Sequence, residues 1–185
     1  EDMNLYYAIR DLSDIKEDPT ATKYKIKKYE KNLKEAYNKI SFLSEASMLS
    51  RMNWWTVEYG LIGNIKNPKI YGAGLLSSVA ESENCLSNKV KKIPFNLNCI
   101  NFPYDITEQQ PQLFVAKDYK NLTKYLIKFS KKMSYKVGGI HGIKNAIKAK
   151  TICSLEIDSC IQISGIVEKY FSYKGLPIFI KLNGG

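Results

Sequence analysis

The run Asn53-Trp54-Trp55-Thr56-Val57-Glu58-Tyr59-Gly60-Leu61 sets one carboxylate in the middle of an apolar and aromatic stretch. A carboxylate withdrawn from water is costly unless it is paired, hydrogen-bonded or bound to a metal. Any fold that buries this run has to give Glu58 a use or a partner. Shortly after it, Ile70-Tyr71-Gly72-Ala73-Gly74-Leu75-Leu76-Ser77-Ser78 has the composition of a strand that turns into a helix through small residues. Small residues let backbones approach closely, and exposed amides can hold a carboxylate. Gly-x-Gly alone is a weak phosphate signal, and the third glycine of a dinucleotide fingerprint is absent.

Around these runs the apolar pattern is mostly helical. Leu5, Ala8, Ile9, Leu12 and Ile15 are spaced as one helix face. Asp18-Pro19-Thr20 breaks the pattern, and Thr20 or Thr22 is placed to cap the next helix. Over residues 21–49 the stripe Ile26, Tyr29, Leu33, Ala36, Tyr37, Ile40 and Leu43 predicts a long amphipathic helix, with a break near residues 41–44. Residues 50–61 read as a more buried helix that Gly60 and Gly63 help to end. Asn67-Pro68 marks a turn, residues 69–74 a short strand, and Ser77 or Ser78 the cap of a helix over 81–86. Residues 90–98 and 99–102 read as extended, with Pro94 favouring a sheet edge. Residues 104–111 are loop-like, 113–116 a short buried strand, and 118–133 a helix.

Beyond Gly138-Gly139 the pattern changes. A short helix over 140–150 precedes strands at 152–157, 160–167, 169–173 and 176–182. Turns at Asp158-Ser159 and Lys174-Gly175 join them in a meander. A meander that stops at Asn183-Gly184-Gly185 keeps an open edge, so the small β domain is expected to be incomplete. The expected class is α+β overall: mainly α with short strands over residues 1–135, then a small antiparallel β segment over 136–185.

Composition excludes several classes. The net charge of +10 admits a nucleic acid partner. The lysines, however, are scattered and alternate with glutamate, asparagine and tyrosine, and arginine is confined to Arg10 and Arg51. No nucleic acid partner is expected. No apolar run approaches the ~20 residues that span a bilayer, so no membrane partner is expected. The acidic start Glu1-Asp2-Met3 has no hydrophobic signal core, and a cytoplasmic location is expected. Cys85, Cys99, Cys153 and Cys160 form no C-x-x-C pair. They read as reduced, mostly buried thiols, with a Cys153–Cys160 bridge across a hairpin as the alternative. His141, the sole histidine, stands between glycines with no second histidine or carboxylate at metal spacing, and reads as an exposed or capping residue.

Three runs resemble a known family: the one around Glu58, Gly72-Ala73-Gly74-Leu75-Leu76-Ser77-Ser78, and Tyr104-Asp105-Ile106-Thr107-Glu108-Gln109-Gln110-Pro111. Together they resemble the aromatic amino acid hydroxylases, most closely the phenylalanine 4-monooxygenase branch. The resemblance implies the partial catalytic fold of that family. It makes Glu58 one of three ligands to a catalytic ferrous iron, in a facial set of two histidines and one carboxylate that leaves one face open. The two histidines belong to an upstream His-Glu-x-x-Gly-His motif that this sequence does not contain. It also implies that Trp54 flanks the substrate ring, that Gly74, Ser77 and Ser78 line the amino acid site, and that Tyr104 lies near the pterin. Without the resemblance, the same residues read as a paired helix glutamate, a core tryptophan, a tight strand-to-helix turn and a loop tyrosine. Two positions depart from the family: Asn53, where Tyr or His is frequent, and Ala80, where Gly is usual. The likeness covers residues 50–133. The lysine-rich helix before it resembles an insertion of longer bacterial members, and the β meander their extra C-terminal domain.

The expected function is therefore that of a fragment of a pterin-dependent, non-haem iron monooxygenase. The intact enzyme would use Fe(II), a tetrahydropterin and O2 to hydroxylate an aromatic amino acid, phenylalanine to tyrosine. The isolated chain is expected to be inactive and to bind neither cofactor tightly. The alternative is a non-catalytic module that binds an aromatic ligand or a protein on the same scaffold.

Overall fold

The structure is a computed structural model that describes residues 2–106 and 108–184. Thr107, inside the third family-like run, lies outside the described residues. The chain forms two compact units, one up to Tyr125 and one from Leu126 onward. It is a mixed α+β arrangement, as expected from the pattern.

In the first unit, α1 (Asp2–Glu17) packs on α2 (Lys23–Asn38). Thr22 caps α2 by accepting from the Lys25 amide. The amphipathic pattern over 21–49 forms two helices, divided at the break expected near residues 41–44. α2 stops at Asn38, and α3 (Glu45–Asn53) starts anew under a Ser44 cap whose hydroxyl accepts from the Ser47 amide. Ser44 is buried and donates to the Asp2 carboxylate, which also accepts from Ser47 Oγ at 3.0 Å. The break lets α3 leave the line of α2 and carry its apolar face inward.

α3 does not run on as a regular helix. From Trp54 to Glu58 the backbone widens into a π-helical turn, closed by the Tyr59 amide on the Trp54 carbonyl at 2.8 Å. Such turns are frequent at functional sites. The chain then enters a hairpin that the sequence pattern did not reveal: β1 (Leu61–Asn64) pairs antiparallel with β2 (Asn67–Ile70). Asn67 and Pro68 belong to the strand rather than to the turn. Pro68 is tolerated because β2 lies at the edge of a sheet ordered β2-β1-β4-β3.

Past β2, α4 (Ala73–Ser77) and α5 (Val79–Leu86) follow in quick succession, and Ser78 caps the second through the Glu81 amide. β3 (Lys91–Pro94) and β4 (Gln112–Ala116) run parallel. Between them, residues 97–101 form a 3-10 turn rather than the extended segment expected. β4 is the buried centre of the sheet, with Leu113, Phe114, Val115 and Ala116 all buried. The core gathers Trp55, Leu61, Leu75, Leu113, Phe114, Cys85 and Cys99, each at most 1% exposed.

α6 (Tyr119–Ser130) spans the division between the units. In the second unit, α7 (Ser134–Val137) and α8 (Gly139–Ala149) precede an antiparallel meander, β5 (Ile152–Glu156), β6 (Gln162–Tyr173) and β7 (Leu176–Asn183). The two strands expected on either side of residue 168 are one strand with a bulge between Val167 and Lys169. Lys174 and Gly175 both take positive φ, 48° and 80°, the two-residue geometry that matches strand twist. α8 packs on β6, and Ile143 and Val167 are buried. Phe171 and Phe179 pair across the exposed side at 5.7 Å. All four cysteines are free: Cys85 and Cys99 are buried, Cys153 is half-buried and Cys160 is exposed. His141 is exposed on α8 beside Asn145 at 3.2 Å. No helix among the described residues is long and apolar enough to cross a membrane.

Candidate active site

Glu58 closes the π-helical turn, half-buried, and the glycine run of α4 is what sits against it. A Cβ placed on Gly72 would stand 2.4 Å from the Glu58 carbonyl oxygen and 2.5 Å from the Gly60 nitrogen. A Cβ on Gly74 would stand 3.2 Å from the Glu58 side-chain Oε2 and 3.0 Å from Tyr59 Cε2. The Gly60 carbonyl accepts from the amides of both Tyr71 and Gly72, which fixes the two segments in register. The first two family-like runs are thus brought together by backbone-to-backbone packing that a side chain at Gly72 would prevent.

Trp54 starts the same turn. One face of its indole lies on Tyr59, with ring centroids 4.4 Å apart and planes 17° from parallel. The other face carries Tyr104 at 4.3 Å and 11°. Stacked aromatic pairs contribute about 0.5–1.5 kcal/mol each beyond burial. Both faces of the residue expected to flank a substrate ring are therefore covered by the chain's own tyrosines. Its Nε1 is buried and has no hydrogen-bond partner, the single buried side-chain nitrogen or oxygen so placed among the described residues.

The loop carrying Tyr104 is gripped from α3 and the π-helical turn. Ser50 Oγ and Tyr104 Oη share a hydrogen bond. Arg51 Nη1 donates to the Ile100 carbonyl at 3.1 Å, and Trp55 Nε1 donates to the Phe102 carbonyl at 3.0 Å. Residues 50, 51, 54 and 55 hold the start of the loop, from Ile100 to Tyr104, and Lys16 of α1 holds Glu108 at 2.7 Å. From the far side, buried Gln110 donates through Nε2 to the carbonyls of Asp105 and Glu108. Burial lowers the Arg51 pKa from its usual value, and raises that of the neighbouring Tyr37, with Asp105 adding to the rise.

Of the other expected site residues, Ser77 is exposed and its hydroxyl donates to the Gly74 carbonyl of its own helix. Ser78 is occupied as the cap of α5. The structure thus gathers Glu58, Trp54 and Gly74 around Tyr59, with Tyr104 on the far face of Trp54, while both serine hydroxyls serve their own helices. Two residues of the cluster were not singled out from sequence, Tyr59 and Glu81. The Tyr59 phenol is pushed up by burial first, then by the Glu81 and Glu58 charges, so it stands close to both carboxylates. Burial also raises the Glu81 carboxyl. The signal that could have found Glu81 is Ser78-Val79-Ala80-Glu81, which has the S-x-x-E spacing of a capping box.

The description of the biopterin-dependent aromatic amino acid hydroxylases matches residues 41–141, more than half of the 185. The chain belongs to that family. Among its relatives, phenylalanine-4-hydroxylase of Dictyostelium discoideum is 38% identical over 87 residues, covering 46% of this chain and 20% of that protein. Phenylalanine-4-hydroxylase of Chromobacterium violaceum is 40% identical over 94 residues, covering 48% of this chain and 32% of that protein. An iron- and phenylalanine-bound crystal structure of the Chromobacterium violaceum enzyme is 35% identical, with a TM-score of 0.42, over 55% of this chain and 37% of that one. The chain therefore spans less than a third of the length of these two curated hydroxylases. The family match contains every candidate site residue, from Trp54 to Tyr104.

Proposed function

We propose that this chain supplies the carboxylate-bearing part of a tetrahydropterin-dependent, non-haem iron monooxygenase that hydroxylates phenylalanine to tyrosine. One observation carries the reading. The Glu58 carboxylate is set against Gly74 and Tyr59, whose ring stacks on Trp54, which supports reading the family's separate runs as parts of one site.

The residues present do not by themselves fit a ferrous ion. Among the described residues no three His, Cys, Asp or Glu side chains come together to hold a metal, and a single carboxylate is a weak Fe(II) site. In the intact enzyme the iron, with a tetrahydropterin as electron donor, would activate O2. The work of this chain's own residues is positional. Glu58 presents one oxygen donor whose backbone is fixed by Gly60 and Gly72. Tyr59 and Trp54 form an apolar wall beside it, and Gln110 holds the Tyr104 loop in place.

The same lack of a three-donor group among the described residues favours a second reading, a non-catalytic module that binds an aromatic ligand or a protein. The experiment that separates the two is iron loading and phenylalanine hydroxylation, on the 185-residue chain and on the full-length protein that carries it. The first reading expects neither property in the 185-residue chain and both in the full-length protein. Stoichiometric Fe(II) and turnover in the short chain would sink the fragment reading, and neither property in the long one would leave the binding module.

A further inference from the structure

The stack on Trp54 holds a ring that need not stay. Tyr59 is fixed by its own amide, which bonds the Trp54 carbonyl, and by Gly74 packed against its ring. Tyr104 is held differently. Its chain neighbours are pinned at Phe102, through Trp55 Nε1, at Glu108, through the 2.7 Å ion pair with Lys16, and at Gln110. Between the pins the described residues form neither helix nor strand. The Tyr104 ring itself is kept by stacking on Trp54, by an edge contact with Trp55 at 6.4 Å and by one hydrogen bond to Ser50 Oγ. Beneath it lies an indole whose buried N–H has no acceptor, a donor that the resting arrangement leaves unsatisfied.

We propose that Tyr104 is a gate: its ring fills the face of Trp54 that the aromatic ring of an amino acid ligand would take, and Ser50 latches it there. The ligand class rests on the function proposed above; the motion does not. Exchanging one aromatic ring for another conserves the stacked surface, so opening costs chiefly the latch. A net hydrogen bond of ordinary strength corresponds to about two- to tenfold in an equilibrium constant. A site that is mostly closed binds its ligand more weakly by the fraction that is open. Removing the latch should then tighten apparent binding by that same factor.

The test uses the two tryptophans of the chain. Trp55 is 0% exposed, so a dissolved quencher such as acrylamide reaches Trp54 while Trp55 stays dark to it. Ser50→Ala and Tyr104→Phe both remove the latch, and the second keeps the ring. In each, the quenching constant of the accessible tryptophan should rise about twofold or more. An unquenched Trp55 component excludes unfolding as the cause. Quenching identical to the parent chain in both variants makes Tyr104 a fixed wall and overturns the gate. In the full-length enzyme, Ser50→Ala should lower KM for phenylalanine about two- to tenfold with kcat little changed. An unchanged KM in an active enzyme overturns the gating of that ligand. A rise in quenching beside a full-length protein with no turnover would uphold the motion and remove only the enzymatic reading.

Discussion

Gly72 lies so close to Glu58 that there is no room for a methyl group between them: its Cβ would stand 2.4 Å from the Glu58 carbonyl oxygen. Both atoms it would strike, that oxygen and the Gly60 nitrogen, are backbone. Gly72→Ala should therefore destabilise the chain by about 3 kcal/mol, the upper part of the usual range for overpacking. At Gly74 the tightest neighbours are side-chain atoms of Tyr59 and Glu58, 3.0 and 3.2 Å away, beside the Glu58 carbonyl at 3.2 Å. Side chains can give way, so Gly74→Ala should cost only about 1 kcal/mol. Urea unfolding of the two variants checks the order; equal costs would mean that the backbone approach at Gly72 is not the constraint.

Glu81 is a carboxyl whose folded pKa is raised by burial. A raised folded pKa means that the unfolded chain gives up the proton first. The contribution of Glu81 to stability is then complete below its unfolded pKa and declines as pH rises through the folded one. Glu81→Gln should make the chain more stable at neutral pH and flatten the stability profile just above the ordinary carboxylate range. It should also lower the Tyr59 pKa, since Glu81 is the larger of the two charges raising it. Chemical denaturation from pH 4 to 8 and NMR titration of the Tyr59 ring test both halves. A less stable Glu81→Gln variant at pH 7 would mean that an ion pair or hydrogen bond outweighs desolvation.

This cluster also marks how far the sequence could be read. The three family runs named Glu58, Trp54, Gly74 and Tyr104; the structure sets Gly74 against Glu58 and Tyr59, and Tyr104 on Trp54. α1, with its clean apolar stripe, and α2 and α5, with their Thr22 and Ser78 caps, were legible. The hairpin of β1 and β2 was not, since Ile65-Lys66 is no turn signal and Pro68 argued against a strand. Its pairing depends on Leu61 docking on the parallel strand β4 at Val115, a contact made across more than fifty intervening residues. The stack on Trp54 was hidden for a similar reason. Nothing in the local spacing of Tyr59 or Tyr104 says that two rings from separate segments will close on one indole.

One half-buried phenol and one buried thiol shape the alkaline limit. The Tyr71 phenol and the Cys99 thiol are both pushed up to about 12, in each case chiefly by burial. In the unfolded chain they ionise at their ordinary values, near 10 and 9. The proton is thus lost by the unfolded state first, and stability should fall as pH climbs from about 9 toward 12. Tyr71→Phe removes one ionisable group at little change of shape and should shift the midpoint of alkaline unfolding upward. A midpoint that does not move would assign the loss to Cys99 or to other tyrosines.

The central claim is that Glu58 is a metal ligand in the full-length enzyme, and the most direct measurement is iron per chain in full-length protein with and without Glu58→Gln. Glutamine keeps the shape of the side chain and removes its charge. Altering even a partner of a metal ligand costs about 10–100-fold in affinity, so loss of the ligand charge should cost more. The account expects about one Fe(II) per unsubstituted chain and a more than hundredfold weaker site in the variant, with phenylalanine hydroxylation lost in step. Glu58→Gln protein that retains iron with unchanged affinity would contradict it.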